Sequence, residues 1–164
     1  TMIEVIVVLL MIAILAAVAT PRIAGISTNR LAVAARMIAR DLTYARERAI
    51  ATGTRTWVVF NAGTSSYSVL SENSASPGRA GATTMTDPNG NGKSFVQTLN
   101  TGDFAGITMT GVNFDSGAEI GFDWVGKPYN SASNPMSAAG TVTLNSGGFV
   151  VTVQPTTGLA KVTP

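Results

Sequence analysis

The N-terminal stretch of the chain is apolar from residue 2 to residue 19, with a single carboxylate at Glu4. At about 1.5 Å per residue, a helix of this length nearly spans a hydrocarbon layer of ~30 Å. A buried core helix seldom lacks a polar face, and a secretory signal peptide carries a basic segment before its apolar run. The first basic residue here is Arg22. The stretch therefore predicts a membrane-competent helix.

Glu4 is the informative residue of this stretch. A carboxylate inside an apolar, lipid-embedded helix costs roughly 2.5 to 3.5 kcal/mol and is by default a functional group in need of a partner. The next charge along the chain, Arg22, is about five helical turns away. We therefore expect Glu4 to pair with another molecule or with the chain's own N-terminal amine.

The helical pattern continues beyond the apolar stretch but becomes amphipathic. Pro21 is expected to kink or locally break the helix, and Thr52 with Gly53 predicts its end. Charged residues, Asp41 among them, are expected on the other faces of the helix. The apolar positions recur at three- and four-residue spacing, which predicts a stripe that packs on a sheet: Leu31, Ala34, Ala35, Ile38, Leu42, Ala45 and Ala49.

After the helix the apolar period changes to two. Residues 55–60 and 66–70 flank a turn-rich segment and predict a β-hairpin. Further short strands are predicted at residues 107–114, 119–125, 140–144, 149–154 and 159–162. The fold class is therefore α+β, with the helix packed on an antiparallel sheet or a small β-sandwich.

Three parts follow from these patterns. Residues 1–25 form the transmembrane or polymerisation half of the helix, and residues 26–53 form its amphipathic half. Residues 54–164 form a β-rich globular domain with a loop insertion at about 72–103, a stretch rich in small and polar residues. A helix of this total length cannot be buried in so small a domain, so its first half is expected to protrude into a bilayer or a bundle of identical helices.

Composition argues against an enzyme. The chain has no Cys and no His, which removes thiolate sites and the commonest general base and metal ligand. Its Ser and Thr residues have no His to activate them, and no S-x-x-K signature is present. The formal net charge of +2 is too small to indicate nucleic-acid binding.

The N-terminal segment, from Thr1-Met2-Ile3-Glu4-Val5 to Ala19-Thr20-Pro21, resembles the first helix of type IV pilins and type II secretion pseudopilins. The resemblance implies cleavage by a prepilin peptidase, N-methylation of the new first residue, and a Glu4 that neutralises the N-terminal amine of a neighbouring subunit. In the family the glutamate lies four positions after the first residue of the mature protein. Here Glu4 lies only three positions after Thr1. We therefore expect one residue of the mature protein to precede Thr1, and Thr1, Glu4 and Pro21 to be assembly residues.

A second resemblance covers the amphipathic half of the helix. Residues 41–50 match the D-L-x-x-A-R-x-x-A-I pattern of the GspH/FimT group, and residues 153–162 resemble that group's C-terminus. Three functions remain open on this basis. The chain is a structural subunit of a type IV pilus-like filament, an H-type minor pseudopilin at the tip of a type II secretion pseudopilus, or a FimT-like minor pilin that captures DNA.

The resemblance also implies partners and locations. The partners are copies of the chain or other pilins, the peptidase that also methylates, and an inner-membrane assembly platform. The subunit is expected in the inner membrane before assembly, and then in a cell-surface filament or a periplasmic pseudopilus. Arg22, Arg30, Arg36 and Arg40 are candidates for charge contacts between subunits, although a solvated helix face is the simpler reading.

Two further sites are weaker candidates. Asp87, Asn89 and Asn91 fit the start of a calcium loop that Asp103 could complete, but the acid expected at position 98 is missing; a tight solvated turn explains the same residues. Lys161 is the one basic residue where a DNA-binding group carries a G-R-x-R-like stretch. A single phosphate contact is too few for tight binding, so nucleic acid is not the expected partner.

Overall fold

A computed structural model describes residues 2–16, 27–145 and 147–164 in full, and residues 17–26 and 146 only as parts of the helix or turn that contains them. The helix α1 runs from Met2 to Thr52. It ends at Gly53, whose φ of 65° is the left-handed conformation that closes many helices. The Thr52 hydroxyl also donates to the Arg48 carbonyl at 2.8 Å. The end predicted at Thr52 and Gly53 is therefore confirmed, whereas the predicted kink at Pro21 lies outside the described residues.

In the part of the chain that the structure describes, ten strands follow the helix, and every pairing between them is antiparallel. They are β1 Thr56–Asn61, β2 Ser66–Ser71, β3 Thr83–Thr84, β4 Val96–Thr98, β5 Met109–Asn113, β6 Glu119–Phe122, β7 Pro128–Tyr129, β8 Gly140–Leu144, β9 Phe149–Val153 and β10 Ala160–Thr163. The predicted α+β class and the hairpin of β1 and β2 are confirmed.

The strands form two sheets rather than one. The first has the order β3-β2-β1-β6-β7, with β4 also paired to β2, and the second has the order β10-β9-β8-β5. The stretch 72–103 contributes β3 and β4 to the first sheet. It is anchored by Phe95 and Leu99, which are both buried. Strand β6 ends at Phe122, three residues earlier than predicted, because residues 123–127 form a tight turn.

The apolar stripe on α1 lies against both sheets. Its residues from Leu31 to Ala49 are all buried, as predicted, and the helix contacts β1 and β6 of the first sheet and β9 and β10 of the second. Four of its seven members are alanines, which lets the helix axis approach the strands closely. The second half of α1 is therefore part of the domain core, where it closes the space between the two sheets.

One polar contact crosses this helix–sheet interface. Asp41 is only 2% exposed, and its Oδ2 accepts a hydrogen bond of 2.7 Å from the Tyr67 hydroxyl. Burial raises the pKa of the Asp41 carboxyl, although hydrogen bonds from Tyr67 and Arg40 act in the opposite direction. Asp41 was expected among the charged residues on faces other than the apolar stripe, and its carboxyl has a buried partner 26 residues away in the sequence.

Candidate assembly surface

The first half of α1 exposes its apolar side chains. Every residue from 2 to 16 is exposed, and most of them are large aliphatic side chains. Monomeric soluble proteins rarely show a contiguous apolar surface of this kind unless it binds something. The segment is thus a surface that its own domain leaves uncovered, and we call residues 2–16 the apolar arm.

Glu4 lies on one face of the apolar arm. With Val5, Val8 and Leu9 it lines a shallow concavity of about 310 Å³. Val8 follows Glu4 by four residues, so the two side chains are neighbours on the helix surface. The carboxylate is therefore set within an aliphatic surface, and any partner that covers Val8 also comes close to Glu4.

The predicted membrane span is not confirmed. Among the residues that the structure describes, no helix is both long and apolar enough to cross a membrane.

A groove runs beside the second half of α1, where the domain begins. Its first section, of about 440 Å³, is lined by Asn29, Arg30, Val33, Asp103 and Phe104. Its second section, of about 400 Å³, shares Val33 and Phe104 and adds Arg36, Met37 and Arg40. Phe104 comes from the short 3-10 turn Gly102–Phe104, which packs next to the helix. We call this surface the basic groove, because three arginines border an apolar floor.

The three arginines of the basic groove have different local environments. The Arg40 guanidinium is bound to the neighbouring Asp41, with Nε and Nη2 each 3.0 Å from Oδ1. Arg30 and Arg36 are exposed, and no ion pair found between described residues includes them. The structure therefore brings the candidate contact residues Arg30, Arg36 and Arg40 to one groove. Arg22 and Thr1, like Pro21, lie outside the described residues.

Sequence reasoning missed the floor of this groove. Phe104 was not singled out in the sequence. It is the only aromatic residue in the Gly-rich segment 100–106, and no helical or strand periodicity there predicts which surface it contacts. Asp103 was named only as an acid that could complete a calcium loop, and the structure places it in the lining of the basic groove together with Arg30. The signal that could have found the groove is Val33, an apolar helix residue outside the buried stripe.

The other candidate residues have local structural roles. Asp87 accepts a hydrogen bond of 2.8 Å from the Asn89 backbone and one of 3.0 Å from the Gln97 side chain, as in a tight turn. Among the described residues, no group of three or more His, Cys, Asp or Glu side chains could hold a metal ion. Lys161 is exposed on β10, where its strand pairs with β9.

A long N-terminal helix packed through its second half on antiparallel sheets is a pilin-like fold. The minor pseudopilin EpsH of the type 2 secretion system of Vibrio cholerae is similar in structure, with a TM-score of 0.56 and 14% sequence identity over 82% of this chain and 96% of that one. A second structure of EpsH gives a TM-score of 0.49 and 13% identity, covering 78% of this chain and 96% of that one. At these identities the likeness is one of fold, and it confirms the predicted pseudopilin-like architecture.

No model of a known protein family matches the chain, and no curated protein matches it either.

Proposed function

We propose that this chain is a structural subunit of a pilin-like filament and that it assembles through its apolar arm. The observation that carries the proposal is the contrast within α1, whose second half is buried in the domain while residues 2–16 are exposed and apolar. The fold likeness to EpsH, a minor pseudopilin, supports the same role. The proposal assigns no catalytic step, and the chain has no His or Cys to perform one.

Assembly would use two different surfaces of the subunit. The apolar arm protrudes from one end of the chain, and the basic groove lies at the base of the domain. Head-to-tail contacts between identical subunits generate an open helical filament when their rotation does not close. We infer that arms of neighbouring subunits pack on one another, with Arg30, Arg36 and Arg40 contacting acids of adjacent subunits.

Glu4 would set the register of this packing. Apolar helices slide past one another at little cost, because lipid and helix surfaces are equally apolar. The pilin resemblance implies that the Glu4 carboxylate pairs with the N-terminal amine of a neighbouring subunit. A filament in which every Glu4 meets such an amine has one preferred axial offset.

The location of the subunit follows as part of this proposal. We expect processing by a prepilin peptidase, insertion of the N-terminal segment into the inner membrane, and transfer to the filament by an assembly platform. The likeness to a minor pseudopilin favours one second candidate, an H-type minor subunit of a periplasmic secretion pseudopilus. DNA capture has little support, because Leu159 and a single Lys161 occupy the segment that would carry the basic residues.

The two candidates differ in the fraction of a filament's subunits that this chain supplies. Fibres sheared from the native cells and examined by electron microscopy and mass spectrometry would test them. If this chain dominates the fibres, it is a filament-forming pilin. Trace amounts beside a different dominant pilin would make it a minor subunit, and complete absence from all pilin-containing fractions would contradict both.

A further inference from the structure

Four large apolar side chains are exposed together at the C-terminal end of α1, away from the apolar arm. They are Trp124 at 54%, Val125 at 68%, Leu159 at 53% and Ile50 at 43% of full exposure. None of them belongs to the buried core, and sequence reasoning placed Trp124 and Val125 in a strand. We call these four residues the distal surface.

Trp124 and Val125 form the tip of a tight turn between β6 and β7. The Asp123 carboxylate accepts hydrogen bonds from the backbone N–H groups of Val125 at 3.0 Å and Lys127 at 2.8 Å. The N–H of Gly126, with φ of 83°, donates to the Asp123 carbonyl at 2.9 Å. Turn tips usually carry polar residues or glycine. Here two large apolar side chains are displayed on a well-bonded turn instead.

A second turn and the helix end hold this tip in place. Leu159 follows Gly158, and a Cβ added to Gly158 would lie only 2.8 Å from the Gly126 carbonyl oxygen, so the two turns touch. The Arg46 Nε donates to the same carbonyl at 3.2 Å. Ile50 lies directly beside Gly126. The turn between β6 and β7, the turn before β10 and the end of α1 therefore hold one another in place. Binding of a partner would then cost little conformational entropy at this surface.

The charges around the distal surface are mostly positive. The Arg55 guanidinium lies 5.8 Å from the centre of the Trp124 ring, Arg46 lies beneath the turn and Lys127 is exposed at its end. Of the nearby acids, Glu47 is exposed one turn before Ile50 on α1, whereas Asp123 and Glu72 are held in hydrogen bonds. Asp123 is buried and bound to the turn backbone, and Glu72 accepts hydrogen bonds from the N–H groups of Arg55 and Gly78.

We propose that the distal surface docks an acidic, apolar segment of a second, different protein. Trp124 would be the anchor, because exposed tryptophans and arginines dominate the binding energy of protein interfaces. The positive rim selects carboxylates on the partner. Nucleic acid fits less well, since Arg55 covers one face of the Trp124 ring and the other three side chains are aliphatic and cannot stack on bases.

This inference goes beyond the proposed filament function. Assembly through the apolar arm uses the opposite end of α1, so the distal surface stays available on a subunit that has already assembled. A second copy of the chain is a poorer occupant, because the apolar arm carries a single carboxylate, Glu4, to meet three cations.

The test is site-specific photocrosslinking of the full chain in the cells that make it. A benzophenone amino acid replaces Val125 in one strain and the exposed polar residue Thr64, as a control position, in another. Crosslinked peptides are then mapped by mass spectrometry. The Val125 position is also combined with Trp124→Ala or Lys127→Glu, and with Lys93→Glu, at another exposed lysine, as the matched charge control. Thermal melts of each variant establish that the domain remains folded.

The expected result is an adduct at position 125 and not at 64, in which a different protein is crosslinked through a segment rich in Asp, Glu and apolar residues. Trp124→Ala should reduce its yield about tenfold or more, Lys127→Glu by a smaller factor, and Lys93→Glu not at all. The proposal is overturned by equal yields at positions 125 and 64, by adducts only with this chain or with nucleic acid, or by an adduct that Trp124→Ala leaves unchanged.

Discussion

The two halves of α1 have the same secondary structure and opposite environments. From Leu31 to Ala49 the apolar stripe is buried against two sheets, and from residue 2 to residue 16 every side chain is exposed. The buried half is amphipathic and rich in alanine, whereas the exposed half consists largely of bulky aliphatic residues. One half of the helix therefore stabilises the subunit's own fold, while the other half presents an apolar surface for contacts outside the subunit.

Matched leucine truncations should separate the two halves most strongly. Leu42→Ala removes a fully buried side chain and should lower the free energy of unfolding by about 2–5 kcal/mol. Leu9→Ala removes an exposed one, so the free energy of unfolding should change by less than about 0.5 kcal/mol. Urea denaturation of detergent-solubilised subunits measures both. Similar losses at the two positions would mean that the apolar arm is folded onto its own domain.

Glu4 offers the next largest contrast. Glu4→Ala should abolish filament assembly without changing subunit stability, because the exposed carboxylate contributes little to the fold and is proposed to set the register of packing. Glu47→Ala, at an exposed glutamate in the second half of α1, is the control and should assemble normally. Sheared fibre yield is the measurement, and normal fibres from the Glu4 variant would refute the role given to it.

Charge reversal in the basic groove should have an intermediate effect. Arg36→Glu is expected to lower fibre yield, because it would place a negative charge next to the acids of an adjacent subunit. Arg48→Glu reverses another exposed arginine of α1 that does not line the groove, and its yield should stay close to that of the unaltered chain. If both reversals behaved alike, the groove arginines would be no more than a solvated face.

Asp41 should make the stability of the buried half of α1 depend on pH. Its folded-state pKa is raised above the usual 3.8, so its contribution to stability is fully present below that value and is lost as pH rises through the folded pKa. Asp41→Asn should remove this decline in the free energy of unfolding. Urea titrations at a series of pH values measure the free energy of unfolding, with Asp103→Asn at an exposed acid as the control. If the free energy of unfolding declined with pH as steeply in the Asp41 variant as in the unaltered chain, Asp41 would not be the cause.

Thr56 provides the smallest expected change. Its hydroxyl is buried, and among the described residues it has no hydrogen-bond partner. Thr56→Val keeps the shape and removes the unsatisfied group, so it should raise the free energy of unfolding by about 1 kcal/mol. Thr43→Val, which loses a hydrogen bond of 2.9 Å to the Ala39 carbonyl, should give no such gain. Equal changes in the free energy of unfolding of the two variants would show that the unsatisfied Thr56 hydroxyl is not the cause.

The sequence predicted those features that depend on local pattern. The stripe from Leu31 to Ala49 and the stop at Gly53 follow from helical period and backbone preference, and both are confirmed. Strand β6 was extended too far because Trp124 and Val125 are typical strand residues, while the turn depends on how Asp123 and Gly126 bond to it.

Features built by distant residues could not be predicted in this way. The Asp41–Tyr67 hydrogen bond and the contact of Phe104 with the helix join segments that are far apart in the sequence. No period in a single sequence specifies which sheet face meets which helix residue. For the candidate site, the sequence therefore identified the apolar arm and three groove arginines, but not the apolar floor between them.

The measurement that most directly tests the central claim is the accessibility of the apolar arm before and after assembly. The chain has no cysteine, so Leu9→Cys introduces a single thiol there, and Thr64→Cys introduces one on the exposed surface of the β-domain. We expect maleimide to label both variants in solubilised subunits, but only the Thr64 variant in assembled fibres. Equal labelling of the Leu9 variant in fibres and in free subunits would contradict it.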